Sequence, residues 1–363
     1  MPDRREGPHV RQIGSPADAK QRIKAPPLPT RGDTLRRKVV ITDRPLTHIE
    51  LEREIVSKAG GELEVHDCKD RDELTSALRH AYVALVNLAP IDRAVITGLS
   101  ETKGIIRYGI GYDNVDVKAA TEKGIYFANV PGYCTVDVAE HTLGLILSLT
   151  RRIPELDSYV RRGLYIDTSG WKHYRPMLRL AGKAVGLVGL GRIGREVAKR
   201  LLAFDASVLV YDPYLKPDGL GDLAGTVSPV DLASVLRKSD IISIHVPLTT
   251  ETRGMIGRKE LAMMKKTAYL LNASRGGIVD EAALARAVES GVIAGAALDT
   301  LASEPPARDS PVLNRDRILV TPHVAWYSEE SVIELERRAA EQAAQILRGE
   351  APTHLVNVEL LAR

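Results

Sequence analysis

The hydrophobic positions of the chain alternate between runs typical of buried strands and the spacing of amphipathic helices. The clearest example is the stretch AVGLVGLGRIGREVAKRLLAFDASVLVYD, which begins with the apolar run Ala184–Val188. After the turn glycines Gly189 and Gly191, Ile193 and Val197 recur at helical spacing, and a second apolar run covers Ser207–Tyr211. This pattern predicts a strand, a tight turn, a helix and another strand.

The part of the chain before this stretch follows the same alternation. A capping box of Thr47 and Glu50 is expected to begin the first helix. Strands that alternate with helices indicate a parallel sheet covered on both faces. The apolar runs predict strands at Val39–Ile41, Glu62–His66, Tyr82–Leu88, Gly104–Tyr108 and Tyr126–Ala128.

One long apolar stretch connects these two regions. Val136–Arg151 predicts a helix that is buried on more than one side, which suits a bridge between domains or a subunit interface. Residues 152–180 have no clear period and are expected to be irregular, with Trp171 as a packing residue.

The chain after Asp212 continues as a second α/β region. Asp280 and Gly291 mark the beginning and the end of its last internal helix. Ser328 is expected to cap a final helix that ends near Arg348 and can pack back onto the first sheet. Together with the first two strands, four more give six parallel strands of a doubly wound domain; they are predicted at Ile241–Val246, Ala268–Asn272, Ala294–Leu298 and Ile318–Val320.

Composition fits two ordinary globular domains. The 363 residues are 44% hydrophobic and 27% charged. No segment approaches the roughly 18 consecutive apolar residues of a membrane span, and the N-terminus has no apolar signal core. Two cysteines, Cys68 and Cys134, are too few for a disulfide framework or a metal cluster. A reducing cytoplasm is the expected location.

The positive charge is concentrated at the N-terminus. Residues 1–38 contain ten Lys or Arg and four Asp or Glu, whereas the formal net charge of the whole chain is +3. The rest of the chain is therefore slightly acidic, and we expect no general affinity for nucleic acid. Residues 1–37 are rich in Pro, Arg and Gly and are predicted to be a disordered basic tail.

The glycines of the central stretch predict a dinucleotide site. Gly189 permits the tight turn, Gly191 lets the backbone approach a pyrophosphate, and Gly194 lets the helix pack on the strand. The anion then lies at the N-terminus of the helix. Asp212 follows the second strand about twenty residues after the glycines, where a carboxylate binds the ribose hydroxyls and disfavours a 2′-phosphate. This arrangement favours NAD over NADP.

Polar residues at three later strand ends predict the chemistry. Arg275, Glu304 and His323 follow successive predicted strands and should meet beside the cofactor. An Arg can anchor a substrate carboxylate, a His can protonate the oxygen that receives charge when hydride arrives, and a Glu can orient that His. These residue types are those required to reduce a 2-keto acid.

Each of these residues also has an ordinary structural role if it is considered alone, as a surface charge or a turn residue. His245 is interpreted as loop packing near the adenine, and Cys134 as a buried thiol. The loops at residues 87–90 and 107–111, the second of which contains Gly109 and Gly111, could bind an anion or simply form turns. The combination of motifs, rather than any single residue, supports the functional interpretation.

Several long motifs together resemble a known family. They are GLVGLGRIGREVA, the acid in VYDPY, LLNASRGGIVDEAAL, AALDTLASEPP and VTPHVAWYSEES, with RYGIGYDNVDVKAATEKGI and NVPGYCTVDVAEHTLGLIL in the first half. This set is similar to that of the D-isomer-specific 2-hydroxyacid dehydrogenases. The similarity extends from about Lys38 to Val358.

The resemblance implies two doubly wound parallel-sheet domains. A flavodoxin-like substrate domain would comprise residues 38–137 and 332–363, and a Rossmann NAD-binding domain would be inserted at 138–331, with catalysis in the cleft between them. Arg275, Glu304 and His323 would be the catalytic set, and no metal is expected. Family members are usually homodimers, paired partly through a helix like Val136–Arg151.

The resemblance also implies binding residues. The backbone at Tyr108, Gly109 and Ile110 matches a loop that binds the substrate carboxylate. The implied contacts to NAD are Gly189, Gly191, Arg192, Ile193, Gly194, Asp212, Val246, Pro247, Thr252, Ala273, Ser274 and Asp299.

Within the family, AWYSEES is most similar to the C-terminal binding protein branch, in which the residue matching Trp326 lines the substrate pocket. An apolar or aromatic substrate side chain is then expected, in an NAD-dependent interconversion of a 2-keto acid and its D-2-hydroxy acid. Two alternatives remain. One is a phosphorylated substrate such as 3-phosphoglycerate, for which Arg107 is the obvious additional cation. The other is an NADH-sensing binding or corepressor protein with little turnover.

Overall fold

A computed structural model describes residues 37–43, 47–165, 174–216 and 218–362, which form two compact units. The first unit contains the described residues up to Val130 and those from Leu335 onward. The second unit spans Pro131–Glu334. The tail before Arg37 and the predicted packing residue Trp171 lie outside the described residues.

The first unit is built on a five-stranded parallel sheet. Its order is β2-β1-β3-β4-β5, which is the flavodoxin-like order. The strands are β1 (Arg37–Ile41), β2 (Gly61–Val65), β3 (Ala81–Val86), β4 (Gly104–Arg107) and β5 (Tyr126–Ala128). The helices between them are α1 (Ile49–Lys58), α2 (Arg71–Leu78), α3 (Arg93–Gly98) and α4 (Val117–Glu122). The predicted fold class of this region is confirmed.

The capping box predicted for α1 is wrong. His48, not Thr47, is the N-cap residue, and it makes no side-chain cap to the helix. Instead, the backbone N–H of His48 lies 3.2 Å from each carboxylate oxygen of Glu336, and its Nδ1 lies 2.9 Å from Oε2. A side chain almost three hundred positions away therefore occupies the place of the expected local cap.

The final helix, α11 (Glu329–Leu347), contains the boundary between the two units. Ser328 caps it as predicted, because its Oγ accepts from the N–H of Ser331 at 2.9 Å. The end of the helix packs on the first sheet. A Cβ on Gly104 would lie 2.3 Å from Ile346 Cδ1, so the absence of a side chain in β4 makes room for the helix.

The second unit is built on a seven-stranded parallel sheet in the order β12-β11-β10-β9-β6-β7-β8. The strands are β6 (Ala184–Val188), β7 (Ser207–Tyr211), β8 (Val227–Pro229), β9 (Ile241–Ile244), β10 (Tyr269–Asn272), β11 (Gly295–Leu298) and β12 (Ile318–Val320). The order is doubly wound, as predicted. The predicted count of six strands was one too low, because β8 is a three-residue edge strand with one buried side chain.

The helices of the second unit cover both faces of its sheet. They are α5 (Thr135–Arg151), α6 (Ile153–Arg161), α7 (Arg192–Ala203), α8 (Leu232–Lys238), α9 (Arg258–Met263) and α10 (Glu281–Glu289). Asp280 caps α10 by accepting from the Ala283 N–H at 2.9 Å, and Gly291 follows the helix with φ +67, as expected. Within the described parts of the chain, no helix combines the length and the apolar character needed to cross a membrane.

Helix α6 lies where irregular structure was predicted. None of its residues is buried in the unit, but Ile153 and Val160 are seven positions apart and lie on one face of the helix, a helical spacing that the prediction of irregular structure did not take into account. Arg152, at φ +54, separates α6 from α5, and Pro154 lies in its first turn, where proline is compatible with a helix.

Candidate cofactor site and active site

The glycine-rich turn joins β6 to α7 in the second unit. Gly189 has φ +101, and a Cβ at this position would lie 2.7 Å from the carbonyl oxygen of His245. A Cβ on Gly194 would lie 2.4 Å from the carbonyl oxygen of Gly189. Both positions therefore require glycine, one for the turn and one for the approach of the helix to the strand.

Gly191 is not required for the same reason. It is the N-cap of α7 with φ −71, and a Cβ there would meet no atom within 4 Å. The missing side chain leaves open the space in front of the first turn of α7, which begins at Arg192 and Ile193. The first N–H groups of a helix have no partner within it, so the turn fits the pyrophosphate of a dinucleotide.

Asp212 follows β7 directly and faces the same turn. Its Oδ2 accepts from the Leu190 N–H at 2.9 Å, and its Oδ1 accepts from the Tyr214 N–H at 2.9 Å. Each carboxylate oxygen has more than one lone pair, so these bonds fix the carboxylate and leave it able to accept from ribose hydroxyls.

The other predicted cofactor residues lie at neighbouring strand ends. The Ser274 hydroxyl ties the loop after β10 to the end of β9, because it donates to the Ile244 carbonyl at 2.6 Å. The Thr252 hydroxyl donates to the Pro247 carbonyl at 2.6 Å, within the loop after β9. Strands β9 and β10 are adjacent in the sheet, and the residues that follow them are Val246, Pro247, Ala273 and Ser274.

The loop that carries Arg275 packs closely on the loop that follows β11. A Cβ on Gly276 would lie 1.9 Å from the carbonyl carbon of Leu301, so the backbones meet directly. Asn272 Nδ2 donates to the Arg275 carbonyl at 2.8 Å and fixes this loop. The charge of Arg275 helps to lower the pKa of Glu304, which follows Leu301 by three residues. Gly276, the residue after Arg275, is the sequence signal for this close approach.

His323 and Glu304 form a direct pair, with 2.7 Å between Nδ1 and Oε2. Burial alone raises the pKa of Glu304, but hydrogen bonds from His323 and from the Leu301 N–H, together with nearby positive charge, leave it below its ordinary value. Because an ionised carboxylate only accepts, Nδ1 of His323 is the donor in this pair. Nε2 is then the ring nitrogen left to exchange a proton with a ligand.

Asp299 holds the backbone that carries His323. Its side chain is 1% exposed, and its oxygens accept from the Val324 and Ala325 N–H groups at 3.0 Å each. The Thr321 hydroxyl also donates to it, at 2.6 Å. His323 itself has φ +54, an uncommon conformation for a residue with a side chain, and the Asp299 carboxylate stabilises the turn that contains it. The predicted contact of Asp299 with the nicotinamide remains a prediction.

Trp326 belongs to an aromatic cluster in the second unit. Its ring centroid lies 6.3 Å from that of Tyr133 and 5.6 Å from that of Tyr327. Cys134 is buried beside Tyr133, and burial raises the pKa of its thiol to about 12. This side chain is consistent with the predicted packing role and not with a reactive thiolate.

The predicted carboxylate-binding loop lies in the first unit, after β4. The Tyr108 side chain points away from solvent, with 4% exposure, and its hydroxyl donates to the buried Glu52 carboxyl group at 2.5 Å. Gly109 has φ +128, and its carbonyl accepts from the Val130 N–H at 2.9 Å. Asn129 Nδ2 donates to the Ile110 carbonyl at 2.7 Å. The Tyr108 side chain is therefore engaged inside the protein, and the Tyr108 N–H donates to the Val86 carbonyl at 2.8 Å. The contact of this loop with a substrate carboxylate remains a prediction.

His245 is held within the protein, since its Nε2 lies 2.9 Å from the Ser243 hydroxyl, which fits the predicted packing role. Its predicted place near the adenine remains a prediction. Enclosure by protein lowers the pKa of His245 to about 4, so its imidazole is neutral at ordinary pH.

Comparisons with known proteins identify the relatives of this chain. Residues 143–325 match the family model of the D-isomer specific 2-hydroxyacid dehydrogenase NAD binding domain. A glyoxylate reductase of Thermofilum pendens is 43% identical over 310 residues, which cover 82% of this chain and 88% of the relative. A D-3-phosphoglycerate dehydrogenase of Methanocaldococcus jannaschii is 39% identical over 322 residues, but these span 88% of this chain and 59% of the relative.

Among solved structures, D-lactate dehydrogenase of Aquifex aeolicus, in complex with NAD and lactic acid, superposes with a TM-score of 0.76 at 27% sequence identity. The match covers 89% of this chain and 97% of that chain.

Proposed function

Since this chain belongs to the D-isomer-specific 2-hydroxyacid dehydrogenases and contains their NAD-binding domain, we propose that it reduces a 2-keto acid to the D-2-hydroxy acid, and catalyses the reverse reaction, with NAD as cofactor. The observation that carries the proposal is the His323–Glu304 pair, held at 2.7 Å in the same unit as the dinucleotide turn. NADH bound at that turn supplies the hydride.

The roles of the residues follow from their charges. Arg275 binds the substrate carboxylate and holds the carbonyl group in a fixed orientation. His323 donates its Nε2 proton to the substrate oxygen as that oxygen gains negative charge. Glu304 keeps Nδ1 protonated and stabilises the imidazolium before the proton is transferred. In the reverse direction, His323 accepts the proton from the hydroxyl group.

The aromatic cluster supports a substrate with an apolar side chain. Trp326 and Tyr133 are both partly buried; Trp326 follows the His323 turn, and Tyr133 lies in the turn before α5. An apolar side chain gains more from such a surface than a phosphate does, because a phosphate requires cationic partners. This favours an unphosphorylated keto acid, as in the C-terminal binding protein branch, over a phosphorylated one.

The substrate class can be tested by measuring NADH oxidation with a panel of 2-keto acids. The panel would contain glyoxylate, hydroxypyruvate, 3-phosphohydroxypyruvate, pyruvate, and keto acids with branched, aromatic and thioether side chains. The proposal predicts turnover that is highest with an apolar side chain. Preference for 3-phosphohydroxypyruvate would instead support the phosphoglycerate alternative, and NADH binding without any turnover would support the sensing protein.

We further propose that the protein is a homodimer paired through α6. This helix has no residue buried within its own unit, whereas Ile153 and Val160 are 54% and 53% exposed. These two residues are seven positions apart and therefore lie on the same face of the helix. The apolar side of α5, in contrast, is already packed within its unit.

A location in a reducing cytoplasm is part of the same proposal, and it is supported by Cys68 and Cys134, which are both free thiols.

A further inference from the structure

The turn that contains His323 is held by a network of hydrogen bonds that includes His141, a side chain without a role in the proposed reaction. His141, in α5, has its Nε2 atom 3.1 Å from the Thr321 hydroxyl and 3.6 Å from Asp299 Oδ1. Thr321 and Asp299 in turn hold residues 323–325. All of these residues belong to the second unit.

The donors in this network can be assigned. A hydroxyl group has a single proton, and Thr321 gives it to the Asp299 carboxylate at 2.6 Å. Nε2 of His141 must therefore carry a proton and donate it to Thr321 Oγ1. The result is a chain of donors that runs from His141 through Thr321 to Asp299.

Asp299, the last acceptor in this series of hydrogen bonds, fixes the position of His323. The Asp299 carboxylate accepts from the N–H groups of the two residues after His323, and the Asp299 carbonyl accepts from the His323 N–H at 2.8 Å. At 1% exposure, this carboxylate depends on protein donors for its stabilisation. Loss of one donor would weaken its hold on a backbone that is strained at φ +54.

We propose that His141 is a positioning residue, which fixes the His323 turn through Thr321 and Asp299. The effect on turnover rests on the proposed function, whereas the effect on the turn itself does not. His141 does not contact the reacting groups in this role, and it acts by keeping the Thr321 hydroxyl directed at Asp299.

The test uses two replacements of similar size, His141→Gln and His141→Met. Gln retains an N–H donor and Met does not. We expect His141→Met to lower kcat by about 10-fold or more, since small displacements of a catalytic group are costly, with NADH affinity unchanged within about 2-fold. His141→Gln should keep kcat within about 3-fold of the parent.

Thr321→Val tests whether His141 acts through the Thr321 hydroxyl. If His141 acts through the Thr321 hydroxyl, His141→Met should have little further effect in the Thr321→Val background. Additive effects of the two substitutions, or a kcat of His141→Met equal to that of the parent, would overturn the proposal.

Hydrogen exchange provides a readout that needs no substrate. The amides of Val324 and Ala325 should exchange faster in His141→Met than in the parent, and His141→Gln should retain their protection. A parent protein without keto-acid turnover, but with this exchange pattern, would refute the proposed function and leave the positioning role supported. Equal exchange rates in all three proteins would refute the positioning role.

Discussion

At the scale of single residues, Arg275 is the group whose role can be separated most clearly from cofactor binding. Its guanidinium is assigned to the substrate carboxylate, while the dinucleotide turn lies at the other side of β9 in the sheet. Arg275→Ala should therefore lower kcat/KM for keto acids by roughly 100- to 1000-fold, through loss of a bidentate ion pair, and change the NADH Kd by less than about 2-fold. Steady-state kinetics and NADH fluorescence titration measure the two quantities.

Arg286→Ala, an exposed arginine of α10 in the same unit, is the matched control and should leave both quantities unchanged. A large loss of NADH affinity in Arg275→Ala would contradict the assignment of this residue to the substrate.

Glu52 gives a pH prediction at the same scale. Burial raises its pKa from 4.5 to about 8, although the hydrogen bond from Tyr108 opposes this shift and the charge of Glu336 adds to it. Between these two pH values the folded state holds a proton that the unfolded state releases. Stability should therefore fall as pH rises from 4.5 to 8, and then level off.

Glu52→Gln cannot ionise and retains an acceptor for Tyr108. Its free energy of unfolding, relative to that of the parent, should increase with pH at up to about 1.4 kcal/mol per pH unit over this range. Denaturant unfolding at a series of pH values measures it. Glu50→Gln, at an exposed position of the same helix, should show no such trend. A pH-independent difference for Glu52→Gln would mean that Glu52 is already ionised in the folded protein.

At the scale of secondary-structure elements, two glycines of the turn between β6 and α7 are expected to have different roles, one in NADH binding and one in stability. Gly191→Ala places a methyl group in open space, so Tm should change by no more than a few degrees, whereas NADH affinity should fall by roughly 10-fold or more as the methyl group meets the pyrophosphate. Gly194→Ala should instead lower Tm markedly, because its Cβ would lie 2.4 Å from a backbone oxygen.

Thermal unfolding and NADH titration of both variants check this contrast. Gly98→Ala, another position with open space, is the control and should affect neither quantity. Unchanged NADH affinity in Gly191→Ala would place the cofactor phosphates elsewhere.

Most of the strands and helices could be predicted from the sequence. Buried parallel strands are short apolar runs, and helices that cover them have an apolar face, so the strands and helices of both sheets were predictable. Edge strand β8 has only one buried side chain and therefore leaves no such pattern. Helix α6 does have apolar residues at helical spacing, Ile153 and Val160, so the expectation of irregular structure there was wrong.

Contacts between distant residues were also beyond prediction. The sequence suggested that Arg275, Glu304 and His323 follow neighbouring strands, but it held no signal for the contact of His141 with Thr321, which are 180 positions apart. The contact of Glu336 with His48 at the start of α1 could not be predicted either, since it depends on where the last helix packs.

At the scale of the whole molecule, the assembly is predicted to depend on α6. Replacing both Ile153 and Val160 by Glu puts charge on the proposed apolar contact, and the protein should become a monomer. Size-exclusion chromatography with light scattering measures the mass, and Phe204→Glu, which alters an exposed aromatic residue after α7, should leave the dimer intact. A dimer that persists in the double variant would exclude this helix as the interface.

The central claim concerns the reaction itself, and the most direct measurement follows the hydrogen that is transferred. The purified protein would be supplied with NADH that carries deuterium at both C4 positions of the dihydronicotinamide and with its preferred keto acid, and the product would be analysed by chiral chromatography and mass spectrometry. The account predicts a D-2-hydroxy acid that carries one deuterium at C2, formed at least about 100-fold more slowly by His323→Ala. An L-product, a product without deuterium, or an undiminished rate in His323→Ala would contradict it.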